Sequence, residues 1–216
     1  MPVITIRGQL GSGAPDIGKL TAAHLNIDYI DREIIAEVAS KLNYPENKIE
    51  KQEMPPTGLL NRIKDAIERS YPPLPDGGTR PAMMFFQPSQ IPLGDSEYKE
   101  VLESVIKQLA ANDAIVIRGR GSQFILKDLP GAVHVLTVAS LETRLKRVME
   151  TMNLDIKAAG QEIYNFDSSR REFIKKYFKA DIEDPVNYDL VINTDHIEYQ
   201  AAVSLIISIL AAKQSN

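Results

Sequence analysis

Short apolar runs alternate along this chain with longer stretches whose apolar positions recur every three or four residues. Val3 to Ile6 is β-branched and reads as a strand, and the glycine-rich segment after it leads into "DIGKLTAAHL". There Ile17, Leu20, Thr21 and His24 or Leu25 fall at helical spacing. "IDYI" predicts a second strand, and "DREIIAEVASKL" an amphipathic helix with Ile34, Ile35, Val38 and Leu42 on one side. Nine of the thirteen prolines lie between Pro45 and Pro92, so regular structure is expected there only in the helix "TGLLNRIKDAIERS". "SEYKEVLESVIKQLAAN" is helical, "DAIVIRGRG" a buried strand leaving through a glycine turn, and "AVHVLTV" another strand. Two helical segments follow, "SLETRLKRVMETMN" and "DIKAAGQEIYNFDSSRREFIKKYF", then the strand "YDLVINT" and the helix "IEYQAAVSLIISILAAK". Apolar strands separated by helices predict an α/β chain with a parallel sheet covered on both faces.

Composition narrows the function classes. With 216 residues, 44% of them hydrophobic, the chain can bury one sizeable core, or a core plus a small lobe. A net charge of -4 gives no whole-protein attraction to nucleic acid or an anionic membrane, so no nucleic-acid or membrane partner is expected and a small ligand is favoured. Cysteine is absent, which excludes disulfides, thiolate metal sites and cysteine nucleophiles. "MPVITIRG" reads as a strand, not a signal peptide, and the apolar run Ala201 to Ala212, interrupted by Ser204 and Ser208, is too short to span a bilayer. A cytoplasmic location is the expectation. The three histidines are scattered: His134 reads as a core residue within its strand, and His24 and His196 have no partners at ligand spacing.

The segment "GQLGSGAPDIGKL" carries the chemistry. In a phosphate-binding loop, G-x-x-x-x-G-K-[ST], backbone N–H groups surround phosphate at a helix start, lysine adds a cation and the hydroxyl holds magnesium. Gly8 and Gly13 fill the two glycine positions here, with Gly11 and Ser12 between them, but Ala14 stands at the lysine position and Pro15 and Asp16 follow. Pro15 removes one N–H from such a cradle while suiting the first turn of a helix. Lys19 lies five residues past Ala14, about 140° around a helix of about 3.6 residues per turn, and is expected to point away from the phosphate.

Taken with "IDYIDREI", "VIRGRGSQFIL", "RLKRVME", "FDSSRREF" and "DPVNYDLVINT" in that order, the loop resembles that of the cytidylate-kinase-like family of P-loop nucleoside monophosphate kinases. The resemblance runs over nearly the whole length. It implies a P-loop kinase-type three-layer sandwich, with a central, mostly parallel five-stranded sheet, a small lobe and a helical lid. Residues 1–216 would form a single domain, with a Pro-rich acceptor-side lobe at 44–95 and the lid at 150–182. ATP and Mg2+ are the implied cofactors and a small-molecule nucleotide the partner; a homodimer is left open.

Residue by residue, the resemblance places Gly8, Gly11, Ser12, Gly13, Ala14, Pro15 and Asp16 at the ATP phosphates, with Asp16 also offered to magnesium. Asp31, Arg32 and Arg118 are assigned to the acceptor, Arg32 by its planar donor fork. Asp31 serves equally as the N-cap of "REIIAEV". Arg120 lies in "GRG", where cytidylate kinases proper carry Gly-Arg-Asp. It is assigned, with Arg144 and Arg170, to the transferring phosphoryl group. Arg147, Asp167 and Arg171 are lid residues; Arg144 and Arg147, three apart, share a helix face. Lys175, Lys176 and Lys179 are left as surface. Asn193 and Thr194 end a core strand, where an open α/β sheet places ligands.

The function implied is transfer of the ATP γ-phosphoryl group to CMP, dCMP or a related nucleotide. Two alternatives stand beside it: a nucleotide-binding regulatory protein weakened or silenced by the loss of lysine at Ala14, and a kinase for another small metabolite.

Overall fold

The computed structural model describes residues 1–31, 95–112 and 114–214. The helices expected in "DREIIAEVASKL" and "TGLLNRIKDAIERS", the Pro-rich lobe and Arg32 lie outside the described residues. The chain divides into two compact units, Met1–Asp31 with Asp113–Asn216, and Arg32–Asn112. Of the latter, one helix is described, α2 (Asp95–Asn112), which buries Leu102, Val105, Ile106 and Leu109 at helical spacing.

In the larger unit the elements are β1 (Val3–Gly8), α1 (Ala14–Leu25), β2 (Asp28–Ile30), β3 (Ile115–Arg118), the short α3 (Ser122–Ile125) and β4 (Val133–Val138). These are followed by α4 (Leu141–Met152), α5 (Ile156–Phe178), β5 (Leu190–Asn193) and α6 (Tyr199–Gln214). The strands form one five-stranded sheet in the order β2-β3-β1-β4-β5, and every pair is parallel. This is the P-loop kinase-type three-layer sandwich expected from the sequence.

The central strands β1, β3 and β4 are near-continuous apolar runs because they are buried on both faces. Ile4 sits between Val116 of β3 and Val133 of β4, and Ile6 between Arg118 and Val135. Ile4 and Ile6 join Ile17 and Ala22 of α1 and Ala202, Val203, Ile206 and Leu210 of α6 in the main core cluster. Thr5 and Arg7 alternate with them and so point to the other face of the sheet.

Local chemistry starts the helices on that scaffold. The Ser140 hydroxyl accepts from Thr143 N at 3.3 Å to open α4, and Asp155 Oδ1 accepts from Ala158 N at 2.8 Å to open α5. Val148 of α4 packs with Ala159 and Ile163 of α5, and Leu10 of the glycine segment leans against this cluster. The helix-periodic face of α4 is thereby turned toward the loop after β1.

Candidate active site at the end of β1

β1 is central, and the sheet order reverses about it, which makes its C-terminal end the switch point where open α/β sheets place ligands. The glycine loop begins there. Gly11 and Gly13 both have φ +83°, a left-handed backbone that favours glycine. Space enforces the same choice: a Cβ on Gly8 would collide with Thr137 Oγ1 and Ser12 Oγ, and one on Gly13 would lie 2.6 Å from the Tyr199 ring.

Ser12 is fully buried and its hydroxyl is committed inward, donating to Gln9 O at 2.7 Å and lying 2.7 Å from Thr137 Oγ1. α1 starts at Ala14, three residues before the first periodic apolar residue Ile17, because Pro15 fits the first turn. No side chain caps that end. Ile17 N bonds to Gly13 O, so the earlier first-turn donors, Ala14 N–H and Asp16 N–H, are the ones available to an anion. Ala14 is buried, while Asp16 and Lys19 are exposed, Lys19 on the outer face of α1.

Two arginines of α4 hold the loop by its backbone. Arg144 is 6% exposed; its Nε donates to Leu10 O at 2.7 Å and its Nη2 pairs with Asp167 of α5. Asp167 Oδ1 accepts from Leu10 N at 3.1 Å, so the pair grips both polar atoms of one loop residue. Arg147 donates to Gly11 O at 3.1 Å, Thr194 Oγ1 at 2.8 Å and Thr194 O at 2.9 Å. Thr194 Oγ1 in turn donates to Ser12 O at 3.1 Å, and the Arg147 guanidinium lies 5.5 Å from the centre of the Tyr199 ring. Burial raises the Tyr199 hydroxyl above its ordinary pKa, against the pull of Arg147, and nearby Asp16 adds to the rise.

The remaining expected site residues fall into separate groups. Arg118 pairs with Asp31, whose Oδ2 also accepts from the Tyr29 hydroxyl at 3.2 Å. Burial, with Asp31 beside it, pushes the Tyr29 hydroxyl well above its ordinary range. Arg120 has φ +54° between Gly119 and Gly121, themselves at +76° and +71°. Three successive left-handed residues turn the chain at the end of β3, and Gly119 N ties the turn to Ile6 O at 3.2 Å. Arg170 stacks on Phe166 with its guanidinium 4.1 Å from the ring centre and donates to Ser169 Oγ, whereas Arg171 is more than half exposed and faces Glu183 at 3.6 Å. Asn193 is exposed and Thr194 buried.

Arg7 was not singled out by sequence reasoning. It is 5% exposed, one residue before Gly8, and its Nη1 reaches Ile182 O at 3.5 Å. Its Nε and Nη2 are buried without a hydrogen-bond partner, and burial holds its pKa below the ordinary arginine value. Around it lie Tyr188, Glu183, Asp167 and Arg171. The Tyr188 hydroxyl donates to Ile182 O at 2.5 Å and accepts from Gln123 Nε2 at 3.1 Å; Gln9 Nε2 donates to Glu183 Oε1 at 3.4 Å. The signal available in the sequence was a lone guanidinium ending an otherwise β-branched strand, on the same face as Thr5.

No group of three or more His, Asp or Glu able to hold a metal occurs among the described residues. An uncapped helix start behind a glycine cradle suits phosphate, and a magnesium ion that keeps most of its contacts to phosphate and water needs only one or two carboxylates. Asp16 is the carboxylate on the first turn of α1.

A family model described as the cytidylate kinase-like family matches residues 3–196. The chain belongs to the cytidylate kinase-like family. A cytidylate kinase of Sulfurisphaera tokodaii is 24% identical over 198 residues, covering 91% of this chain and 88% of that one. A uronate isomerase of Corynebacterium glutamicum is 32% identical over 104 residues, 48% of this chain, but the match spans only 20% of the isomerase. The crystal structure of an uncharacterized protein from Eubacterium ventriosum matches with a TM-score of 0.68 at 21% identity, covering 98% of this chain and 99% of that one. P-loop kinases such as this cytidylate kinase-like family generally use ATP with Mg2+ and act on small molecules. No described helix of this cytidylate kinase-like chain is long and apolar enough to cross a membrane.

Proposed function

We propose that this cytidylate kinase-like protein transfers the γ-phosphoryl group of ATP to CMP, dCMP or a related nucleoside monophosphate. The observation that carries the reading is the uncapped first turn of α1 behind Gly11 and Gly13, both held left-handed at the end of β1. In this reading the loop amides hold the β-phosphate of ATP. The acceptor's phosphate oxygen, already anionic, forms the new P–O bond to the γ-phosphorus while the bond to the β–γ bridging oxygen breaks, giving ADP and a nucleoside diphosphate; no strong base is needed. Arg120 and Arg170 are the cations proposed to offset charge on the transferring group, and Arg144 contributes through the loop backbone it grips. Asp31 and Arg118, already paired, are proposed to face the acceptor. Magnesium, when bound with ATP, would neutralise phosphate charge, with Asp16 as its protein carboxylate.

Incubation with ATP, Mg2+ and a panel of nucleoside monophosphates tests this directly. The expected result is a nucleoside diphosphate from at least one pyrimidine acceptor; none at high enzyme concentration removes the catalytic reading. A second reading, nucleotide binding without turnover, is favoured by one observation: Ala14 is buried at 2% exposure where the loop lysine would stand. Loss of one charge-stabilising donor lowers the rate by about 10²–10³. Calorimetry showing ATP binding without diphosphate formation supports that second reading.

A further inference from the structure

We propose that Arg7, with Gln9 and Arg171, forms an oxyanion subsite for a phosphate group, and that Glu183 occupies the position of that phosphate until it arrives. The inference deepens the kinase reading and rests on its placement of phosphate chemistry at the end of β1.

The argument starts from what Arg7 lacks. A guanidinium stays protonated in proteins and offers five N–H donors, and buried polar groups are almost always matched. Arg7 interacts with the Tyr188 hydroxyl and makes a long Nη1 contact to Ile182 O. The two unmatched nitrogens, Nε and Nη2, are the pair whose N–H groups form one edge of the fork, the edge that grips two oxygens of a phosphate or carboxylate. A sheet that needed only to fill this volume would be better served by an apolar side chain of similar size.

The carboxylates nearby do not fill that edge. Asp167 is engaged with Leu10 N and Arg144. Glu183 reaches outward instead, at 3.4 Å from Gln9 Nε2 and 3.6 Å from Arg171 Nη2, both long contacts, with its side chain 36% exposed. Glu183 thus sits on two donors that an arriving oxyanion would take, near a third set that nothing takes. Displacing it would pass Gln9 and Arg171 to the phosphate and open the approach to the Arg7 fork. The position suits the phosphate of an acceptor, since Arg7 directly precedes Gly8 and its side chain leaves the opposite sheet face from the α1 core.

The test is calorimetric titration of inorganic phosphate with the glycine loop first saturated by a non-hydrolysable ATP analogue, comparing wild type with Arg7→Met, Arg7→Lys and Glu183→Gln. Arg7→Met is expected to weaken phosphate binding by about ten- to a hundredfold, the worth of a charge-assisted hydrogen-bonded contact. Arg7→Lys, which keeps charge but not the fork, falls between, and Glu183→Gln tightens binding several-fold by removing the competing anion. Without phosphate, Arg7→Met melts at or above wild type. Equal phosphate affinity in wild type and Arg7→Met overturns the proposal; if Arg7→Met does not fold, unchanged affinity in both Arg7→Lys and Glu183→Gln overturns it. Parallel titrations with CMP and cytidine identify the source: tighter binding of CMP than of cytidine, lost in the Arg7 variants, assigns the subsite to the acceptor, whereas inorganic phosphate alone assigns it to free phosphate. If the ATP analogue fails to bind wild type, the loop reading falls, while phosphate titration of wild type against Arg7→Met still decides the subsite.

Discussion

Arg144 and Arg147 approach the glycine loop from α4, and their donors are matched to Leu10 O, Asp167, Gly11 O and Thr194. Arg7 enters the same loop along the chain, one residue before Gly8, with two donors matched to nothing. The three cations lie near the same phosphate cradle and are built for different tasks. The α4 pair fixes a backbone whose own N–H groups must already be in place when a phosphate arrives, so its charge is satisfied inside the protein. Arg7 has Glu183, Asp167 and Tyr188 around it but keeps two N–H donors unmatched, which leaves that edge of the guanidinium receptive. The loss of lysine at Ala14 therefore falls on a loop that is still rigidly held, beside a cation that is still available.

The sharpest way to break this comparison is to unmatch a matched cation. Asp167→Ala leaves Arg144 buried without its carboxylate and Leu10 N without its acceptor, so it is expected to destabilise the fold by about 3–5 kcal/mol. Urea denaturation reads this as a lowered midpoint at unchanged slope. A cost below about 1 kcal/mol would mean that the Arg144 side holds nothing. Gly8→Ala comes next. Its Cβ meets Thr137 Oγ1 and Ser12 Oγ, and overpacking of this kind costs about 1–3 kcal/mol. Because the strain lies in the loop, calorimetry is expected to show loss of ATP binding at temperatures where the variant remains folded.

Much of this frame was legible beforehand. Four of the five strands stood out as apolar runs, Val3–Gly8, Ile115–Arg118 and Val133–Val138 because they are buried and Leu190–Asn193 although it is an edge strand with Val191 exposed. Spacing also put Arg144 and Arg147 on one helix face. What that face meets was not legible, since periodicity fixes a direction and not the partner, and both arginines turn to the loop's backbone. Asp31 illustrates the same limit: local sequence offers a helix cap, while its partner Arg118 lies 87 residues away and reaches it only through pairing of β2 with β3. Arg7 escaped attention because alternation in a strand assigns faces without saying whether a polar side chain on the hidden face finds partners. Thr5 does, whereas two of the Arg7 nitrogens do not, although the two residues share that face.

A gentler test of the matched side is Arg147→Met. The half-buried guanidinium links Gly11 O to Thr194, but water can replace part of what is removed, so a loss of about 1 kcal/mol is expected. The more telling readout is ATP affinity, which should fall further than stability does, because Gly11 O and Ser12 O are both held through this arginine and Thr194. Equal affinity in the variant would show that the glycine geometry is sufficient without the clamp.

The smallest effect concerns His134, which shares the hidden face with Thr5 and Arg7. His134 pairs in register with Thr5, its Nδ1 lies 2.8 Å from Thr5 Oγ1, and the ring also bonds the Leu126 backbone, so the neutral ring is fully used. Burial lowers its pKa below the ordinary 6.5, against the opposing pull of Asp189. The unfolded chain therefore takes up a proton at a higher pH than the folded one does. The stability contributed by the neutral ring is complete above about pH 6.5 and declines as pH falls from there toward the lower folded value. His134→Gln keeps polar atoms in the position without a titrating ring. Its melting temperature is expected to change less between pH 7.5 and pH 5 than that of wild type, the remaining slope belonging to carboxylates. An unaltered slope would mean that His134 is protonated in the fold at pH 5, with Asp189 beside it as the matching anion.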